Sequence, residues 1–380
     1  MRKIAFLTGS RGEWGYIRPI IKRIAGDPDM DYQILATHMQ LLPEFGMAVN
    51  EIERDGFEVH ERLYMTLDGY TNQTMTKSLG LLLIELTTSL TRLKPDLLVL
   101  AGDRGEQLMG AIAGGHLGIP CAHIQAGELS GNIDGIVRHS ITKLVHLHFA
   151  ANKEFAERVI KMGEQDFRVY NVGAPQLDEL LNGDFTLEDE LNDRFNLDKD
   201  EEVILAVQHP VTEEEELAAL HIQETVKALK EYGGKTIMIY PNADGGSAEV
   251  RKALQKLKGT NIQLFRNLAR RDYLGLMRRA SLIVGNSSSG VLEAPTFGLA
   301  CLNIGRRQNG RPQADNVLNI EKYTSQDILN GMHTALSNNF QKRAAASVNP
   351  YGDGRSSEKI YKILKEIPLD SKLLNKEMAY

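Results

Sequence analysis

Cysteine, tryptophan and excess positive charge are all scarce in this 380-residue chain, which has two Cys, one Trp and a net charge of −6. Cys121 and Cys301 lie far apart in apolar segments, with neither metal-ligand spacing nor a disulfide framework, so a reducing cytoplasm is the expected home. Lys and Arg total 44 against 50 Asp and Glu, and no strongly basic stretch occurs. A surface that coats DNA or RNA needs clustered cations, so no nucleic-acid partner is expected. Long apolar runs are missing as well. The longest, 79–86, falls far short of the roughly 20 residues that span a bilayer, and no membrane partner is expected. The basic start at Arg2 and Lys3 leads into only four apolar residues before Gly9 and Ser10, which reads as a first buried strand rather than a secretory signal.

Short apolar runs alternate with helical patterns along the chain. The runs at 3–9, 32–37, 97–102, 121–126, 148–151 and 168–173 read as one series of strands, and those at 203–208, 236–240, 262–265, 282–285 and 301–304 as a second. Helical spacing lies between them, as at 16–25, 73–93 and 272–280. Continuous apolar strands alternating with helices predict doubly wound parallel sheets covered on both faces. The polar stretch 177–202 reads as a connector, with a boundary near 173–175. The expected organisation is an α/β chain with a first domain over 1–173, a second over 174–354, and a helix over 355–380 crossing back to the first. Gly118-Ile-Pro-Cys121 and Gly298-Leu-Ala-Cys301, each entering a strand, hint at similar halves.

Ligands of open parallel sheets bind beyond the carboxyl ends of the strands, so the segments that follow strands carry the functional reading. After the first strand comes Gly9-Ser-Arg-Gly-Glu-Trp-Gly15, able to approach a phosphate or simply to turn tightly into a helix. It is neither a Walker A loop nor Gly-x-Gly-x-x-Gly, and the second strand ends without an acid, at Thr37 and His38, so a dehydrogenase is disfavoured. Asp103 and Arg104 follow the third strand, while Glu128 and Asp134 share a Gly-rich loop after the fourth. Three acids at neighbouring strand ends make an acid/base set, with solvated turns as the plainer alternative. In the second half, Gly285-Asn-Ser-Ser-Ser-Gly290 puts three hydroxyls where a helix begins, a match for a diphosphate. Glu293 is placed to accept from ribose hydroxyls, and 305–311 adds cations. His146 and His148 alternate on one strand without acidic partners nearby and read as structural, and no metal site is expected.

Taken in order, Thr8-Gly-Ser-Arg11, Gly102-Asp-Arg104, His123-Ile-Gln-Ala-Gly-Glu128, Asn132-Ile-Asp134, the stretch 136–143, Gln208-His-Pro210, the serine loop and Gly305-Arg-Arg-Gln308 resemble the hydrolysing UDP-N-acetylglucosamine 2-epimerases of sialic and related nonulosonic acid biosynthesis. The resemblance implies a GT-B-like fold, two Rossmann-like domains facing a cleft, with UDP held mainly by the second. It implies nucleotide or substrate contacts at Arg11, Arg104, Gln125, His209, Asn242, Leu268 (through its backbone), Ser287, Ser288, Glu293 and Arg307. Asp103, Asp134 and His209 are the implied catalytic residues. Some relatives carry Glu where this chain has Gln125, and Glu128 is the candidate to supply the missing carboxylate. The implied reaction removes the C2 proton by anti elimination, expels UDP to leave a glycal, then adds water to release N-acetylmannosamine, with no cofactor.

Other activities stay open beside it. The same chemistry on UDP- or GDP-linked 2,4-diacetamido-2,4,6-trideoxy-glucose, as in legionaminic acid pathways, is the first. A non-hydrolysing epimerase and a GT-B glycosyltransferase follow. The implied partners are the nucleotide sugar, UDP and further copies of the chain, as a dimer or tetramer.

Overall fold

The computed structural model describes every residue except 70, 131, 132, 242, 243, 256, 258–260 and 380. One parallel sheet is built from β1 (Arg2–Thr8), β2 (Met30–Thr37), β3 (Glu61–Leu63), β4 (Leu97–Ala101), β5 (Cys121–Ile124), β6 (Leu147–Ala150) and β7 (Val169–Asn171), in the order β3-β2-β1-β4-β5-β6-β7. A second parallel sheet holds β8 (Val203–Val207), β9 (Lys235–Ile239), β10 (Ile262–Phe265), β11 (Leu282–Gly285), β12 (Ala300–Ile304) and β13 (Val317–Ile320), in the order β10-β9-β8-β11-β12-β13. Both are doubly wound, as the alternation in the sequence predicts.

The apolar strands supply two faces each because successive side chains point to opposite sides. In β1, Ile4 and Phe6 enter one core cluster while Ala5 and Leu7 enter another. In β8, Ile204 and Ala206 pack on one side and Val203, Leu205 and Val207 on the other. The strand order reverses beside β1 and β8, so the carboxyl ends of β1/β4 and β8/β11 are the switch points where such sheets bind ligands.

Three sequence expectations change. The polar stretch at 177–202 is not a loose connector: helices Gln176–Leu181 and Glu188–Phe195 bury Leu177, Leu180, Leu191 and Phe195 in one core with β8. Their apolar residues recur at three- and four-residue spacing, a helix face that the many acids obscure. The first helix runs over Arg11–Ala25, five residues earlier than its apolar pattern, because Ser10 and Glu13 form a capping box across the glycines. His148 does have an acidic partner, Glu164, whose Oε2 lies 3.0 Å from its Nε2 in a buried pair.

Near the carboxyl end, the helix Ser356–Glu366 packs on the helix Arg11–Ala25, with Ile360 and Leu364 joining the core beneath β1. The two passages of chain between the sheets touch where Ala174 N donates to Tyr351 O at 2.8 Å. Among the described residues, no helix is long and apolar enough to cross a membrane.

Candidate active site

The carboxyl ends of the two sheets enclose one cavity. The first sheet contributes Ser10, Arg11, Glu13, Tyr16, Asp103, Arg104 and Asp134 to its wall, and the second contributes His209, Leu268, Ser287, Ser288, Glu293 and Arg307. Of the residues expected at the site, Gln125 and Glu128 are absent from the wall, and Asn242 lies outside the described residues.

Helix starts aim the first-sheet residues. Ser10 caps the helix Arg11–Ala25, and Glu13 Oε2 accepts from the amides of Gly9 (2.5 Å) and Ser10 (3.2 Å), which points Arg11 and, a turn later, Tyr16 at the cavity. Asp134 lies in the first turn of the helix Ile133–Leu144 rather than in a loop. That helix also supplies Arg138, fully buried, whose Nη1 donates to Gln125 O at 2.7 Å and whose Nη2 donates to Asp103. Burial opposes ionisation of Asp103, but the guanidiniums of Arg138, Arg311, Arg307 and Arg104 outweigh it and hold the carboxyl down at about 2. Asp103 is therefore a fixed anion.

Glu128 sits behind the wall, where neither carboxylate oxygen has a hydrogen-bond partner among the described residues. Burial pushes its carboxyl up, against Arg138 and Arg311. The chain turns inward at Gln125, whose φ of 65° turns the backbone off the line of β5, so Gln125 and Glu128 follow the loop into the protein. Two further acids on the wall, Glu13 and Glu51, were not singled out from the sequence. Glu13 is raised to about 8 by burial and then by the neighbouring Glu106 charge. Its signal was readable as Ser-x-x-Glu across the start of the helix.

On the second sheet, β11 ends at Gly285, where φ is 132° and an added Cβ would lie 2.1 Å from Val207 O, so only glycine lets the chain leave the strand beside β8. Asn286 then ties the two strand ends together: His209 N donates to its Oδ1 at 2.7 Å, and its Nδ2 donates to His209 O at 2.9 Å. Burial, then Arg307, Arg11 and Arg104, push the His209 imidazole well below its usual range, so it stands neutral. The helix expected after the serines is one turn, Ser289–Leu292, and the chain passes at Glu293 into a short 3-10 turn led by Ala294 and Pro295. One turn carries little macrodipole, so the positive potential at this corner comes mainly from the arginines, with the Ser hydroxyls as hydrogen-bond donors. Ser287 Oγ and Ser289 Oγ are 2.9 Å apart, and Ser289 is bonded to Tyr273 OH. Glu293 spends Oε1 on Arg270 Nη2 at 2.5 Å, which fixes its carboxylate on the wall.

The two walls meet through charge. Arg307 Nη2 lies 3.7 Å from Asp134, and Arg104 Nη1 donates to Asp244 at 2.9 Å. The cavity thus sets anionic carboxylates beside a cluster of cations and hydroxyls, which suits a substrate with a negatively charged leaving group. Met39, Phe45 and Tyr273 also line the cavity, outside every motif read from the sequence, and Trp14 joins them from the segment 9–15. Among the described residues no cluster of three or more potential metal ligands occurs.

Residues 22–365 match the UDP-N-acetylglucosamine 2-epimerase family. Over its full length and that of its relative, the chain is 36% identical to a hydrolysing UDP-N,N'-diacetylbacillosamine 2-epimerase of Legionella pneumophila. It is 33% identical to a hydrolysing GDP/UDP-N,N'-diacetylbacillosamine 2-epimerase of Campylobacter jejuni, over 84% of each chain. The crystal structure of a Neisseria meningitidis UDP-GlcNAc 2-epimerase bound to UDP-GlcNAc superposes with a TM-score of 0.80 at 18% identity, covering 96% of this chain and all of that one. The two facing parallel sheets are thus a GT-B-like fold.

Proposed function

The chain belongs to the UDP-N-acetylglucosamine 2-epimerase family, and from that premise we propose that it is a hydrolysing 2-epimerase of a UDP-linked 2,4-diacetamido-2,4,6-trideoxy sugar. The observation that carries the reading is the cavity itself, with Asp103 and Asp134 on one wall and Arg307 and the serines on the other. The choice of sugar is supported by the two relatives that are named for it; the sequence alone had put UDP-N-acetylglucosamine first.

In this mechanism the diphosphate lies against Ser287, Ser288, Arg307, Arg104 and Arg11, and the sugar reaches toward Asp103 and Asp134. Those two carboxylates divide removal of the C2 proton and the later proton delivery between them. As the C1–O bond breaks, its electrons leave with UDP, and the arginines take up the charge that develops on the β-phosphate. The C2 electrons form the C1=C2 bond of a glycal. Water then adds, hydroxyl to C1 and a proton to the opposite face of C2, giving the free sugar with inverted C2. The diphosphate has a second effect. By pairing with Arg307 and Arg104 it withdraws two of the cations that depress Asp103, lifting that carboxylate toward the range of a working base. Neutral His209 can donate a hydrogen bond to the nucleotide without attracting a proton from solvent. A cytoplasmic homo-oligomer is part of the proposal; the two cysteines are buried and unpaired, as a reducing compartment allows.

An NMR time course with UDP-N,N'-diacetylbacillosamine, its GDP counterpart and UDP-GlcNAc side by side tests the reading. Stoichiometric UDP and a free C2-inverted sugar are expected, with kcat/KM for the diacetamido substrate at least ~10-fold above that for UDP-GlcNAc, about what a few extra pocket contacts provide. Faster turnover of UDP-GlcNAc would return the assignment to N-acetylmannosamine release. A C2-inverted sugar still attached to UDP would replace hydrolysis with a non-hydrolysing epimerase.

A further inference from the structure

One loop of the second sheet reaches the carboxylates of the first. The segment 306–311 after β12 runs along the cleft, and Arg311 ends it with its side chain only 6% exposed. Arg311 Nε donates to Leu129 O at 3.2 Å and lies 3.8 Å from Glu128 Oε2, while Nη2 is 3.4 Å from both Asp103 Oδ2 and Ser130 Oγ. All four partners belong to the first sheet's loops. The remaining arm, Nη1, donates to Gln308 Oε1 at 2.8 Å, and Gln308 Nε2 donates to Asn286 O at 2.8 Å. Asn286 is the residue that precedes the serines and grips His209 from both sides. A continuous chain of hydrogen bonds therefore runs from the serine loop through Gln308 and Arg311 to Asp103. Arg311 is not on the cavity wall, so it acts through the carboxylates and not on the nucleotide.

We propose that Arg311 is a positioning residue, delivered by the second sheet to aim and charge Asp103, so that seating the nucleotide and setting the acid are one event. Asp103 also bonds to Arg138 and Ser130 from its own sheet. All of these contacts, that of Arg311 included, fall on one oxygen, Oδ2, so the carboxylate is pinned at a single atom from both sheets, and the guanidinium of Arg311 is the contact that the second sheet supplies. The bond through Gln308 makes that contact sensitive to the serine loop, because a shift of Asn286 moves Gln308 and with it the plane of the guanidinium. Positioning by such a network is a matter of preorganisation: a carboxylate free to rotate spends much of its time off the C2 proton. The proposal rests on the hydrolysing-epimerase reading.

Arg311→Met, Arg311→Lys and Gln308→Leu in the full-length protein test it, with UDP affinity by calorimetry, kcat and KM by NMR, and solvent deuterium incorporated at C2 by mass spectrometry. Arg311→Met is expected to lower kcat ~10²-fold, at the low end for a displaced acid or base, with the UDP Kd and KM within about threefold. Arg311→Lys should recover about tenfold of that loss, and Gln308→Leu should lose about tenfold in kcat at unchanged UDP affinity. If kcat and UDP affinity fall together in Arg311→Met, the residue binds nucleotide and the proposal is overturned; an unchanged kcat overturns it too. Should Arg311→Met fail to fold, the other two variants decide: full turnover in both, or a parallel loss of UDP affinity, rejects the role. A wild-type protein that releases UDP from none of the sugars would sink the reading of function. An active wild type matched by Arg311→Met sinks only the role of Arg311.

Discussion

Replacing Asp103 by Asn removes the charge that the buried guanidinium of Arg138 and that of Arg311 share at one oxygen, Oδ2. Two consequences follow at once, one for stability and one for chemistry. Ionisation of the native carboxyl is favoured down to about 2 from the ordinary 3.8, which is worth roughly 2 kcal/mol at neutral pH. The sign is that of a depressed acid: the contribution is present above the unfolded value and is lost as pH falls from about 4 toward about 2. The amide also leaves two cations facing each other in a buried site, and uncompensated buried charge costs roughly 3–5 kcal/mol when one partner is deleted. Glu128, 3.8 Å from Arg311, can ionise to offset part of this, so a loss of roughly 2–4 kcal/mol is expected from urea unfolding at pH 7. The gap between wild type and variant should hold steady from pH 7 to about 4 and narrow below. Turnover should fall ~10²–10⁴-fold, while UDP affinity stays level or improves, because a carboxylate beside a diphosphate repels it. A pH-independent gap would refute the ion-pair account. Turnover within threefold of wild type would refute the catalytic assignment, and a loss of UDP affinity matching the loss of rate would move Asp103 to the nucleotide.

Two other variants separate chemistry from architecture. Glu128→Gln should keep turnover within about tenfold, well short of the ~10²–10⁴-fold cost of losing an acid or base, because a buried carboxyl biased toward its neutral form and set behind the wall is closely matched by an amide; a loss of a hundredfold or more, read from the NMR time course, would show that its proton is used. Ser287→Ala with Ser288→Ala should weaken UDP about 10–100-fold, the scale of one or two hydrogen bonds to a charged group, with kcat at saturation little changed; an unaltered calorimetric Kd would take the diphosphate off this loop.

Much of the fold could be read from the sequence because β1, β4, β8 and β11 carry short continuous apolar runs bounded by glycine or polar residues. The edge strands β3 and β13 could not. Glu61–Leu63 is three residues long with two charges, and Val317–Ile320 is only half-buried, so neither carries the apolar run that marks an inner strand. The site divided in the same way. Arg11, Asp103, Ser287, Ser288 and Arg307 lie just past strand ends, where position alone is informative, and all of them reach the cavity, as does Asp134 from the helix that follows β5. Tyr16, Trp14 and Tyr273 face it from within helices, where an aromatic residue looks like any other core residue until the helix is oriented. Glu128 misled for the converse reason: a strand-end loop brings a residue near the cleft, but the backbone at Gln125 decides which way it faces.

The faint repeat in the sequence has a physical basis that bears on how the cavity came to be asymmetric. Cys121 in β5 and Cys301 in β12 occupy the same place in their sheets, two strands from β1 and β8 respectively. Each thiol packs against a glycine of the preceding helix: Cys121 Sγ would lie 2.3 Å from a Cβ on Gly114, and Cys301 Sγ 2.5 Å from one on Gly290. Each strand is entered through a glycine in the left-handed region, Gly118 at 67° and Gly298 at 64°. The halves are therefore built alike to this depth, and equivalent loops can be compared directly. After β4 the chain presents Asp103; after β11, at the matching place, it presents three serines. The loop after β5 carries Glu128, and the loop after β12 carries Arg307 and Arg311. One half has placed acids where its counterpart has placed hydroxyls and cations. Because the two switch points face each other, three acids of the first half meet cations of the second: Asp134 meets Arg307, and Asp103 and Glu128 meet Arg311. A single sheet could carry either set, but one set alone would bind the diphosphate without chemistry or do proton transfer without a seat for the leaving group. Facing the two across a cleft puts the bond that breaks at the boundary between them, which is why the residues tying the loops together govern the rate without touching the substrate.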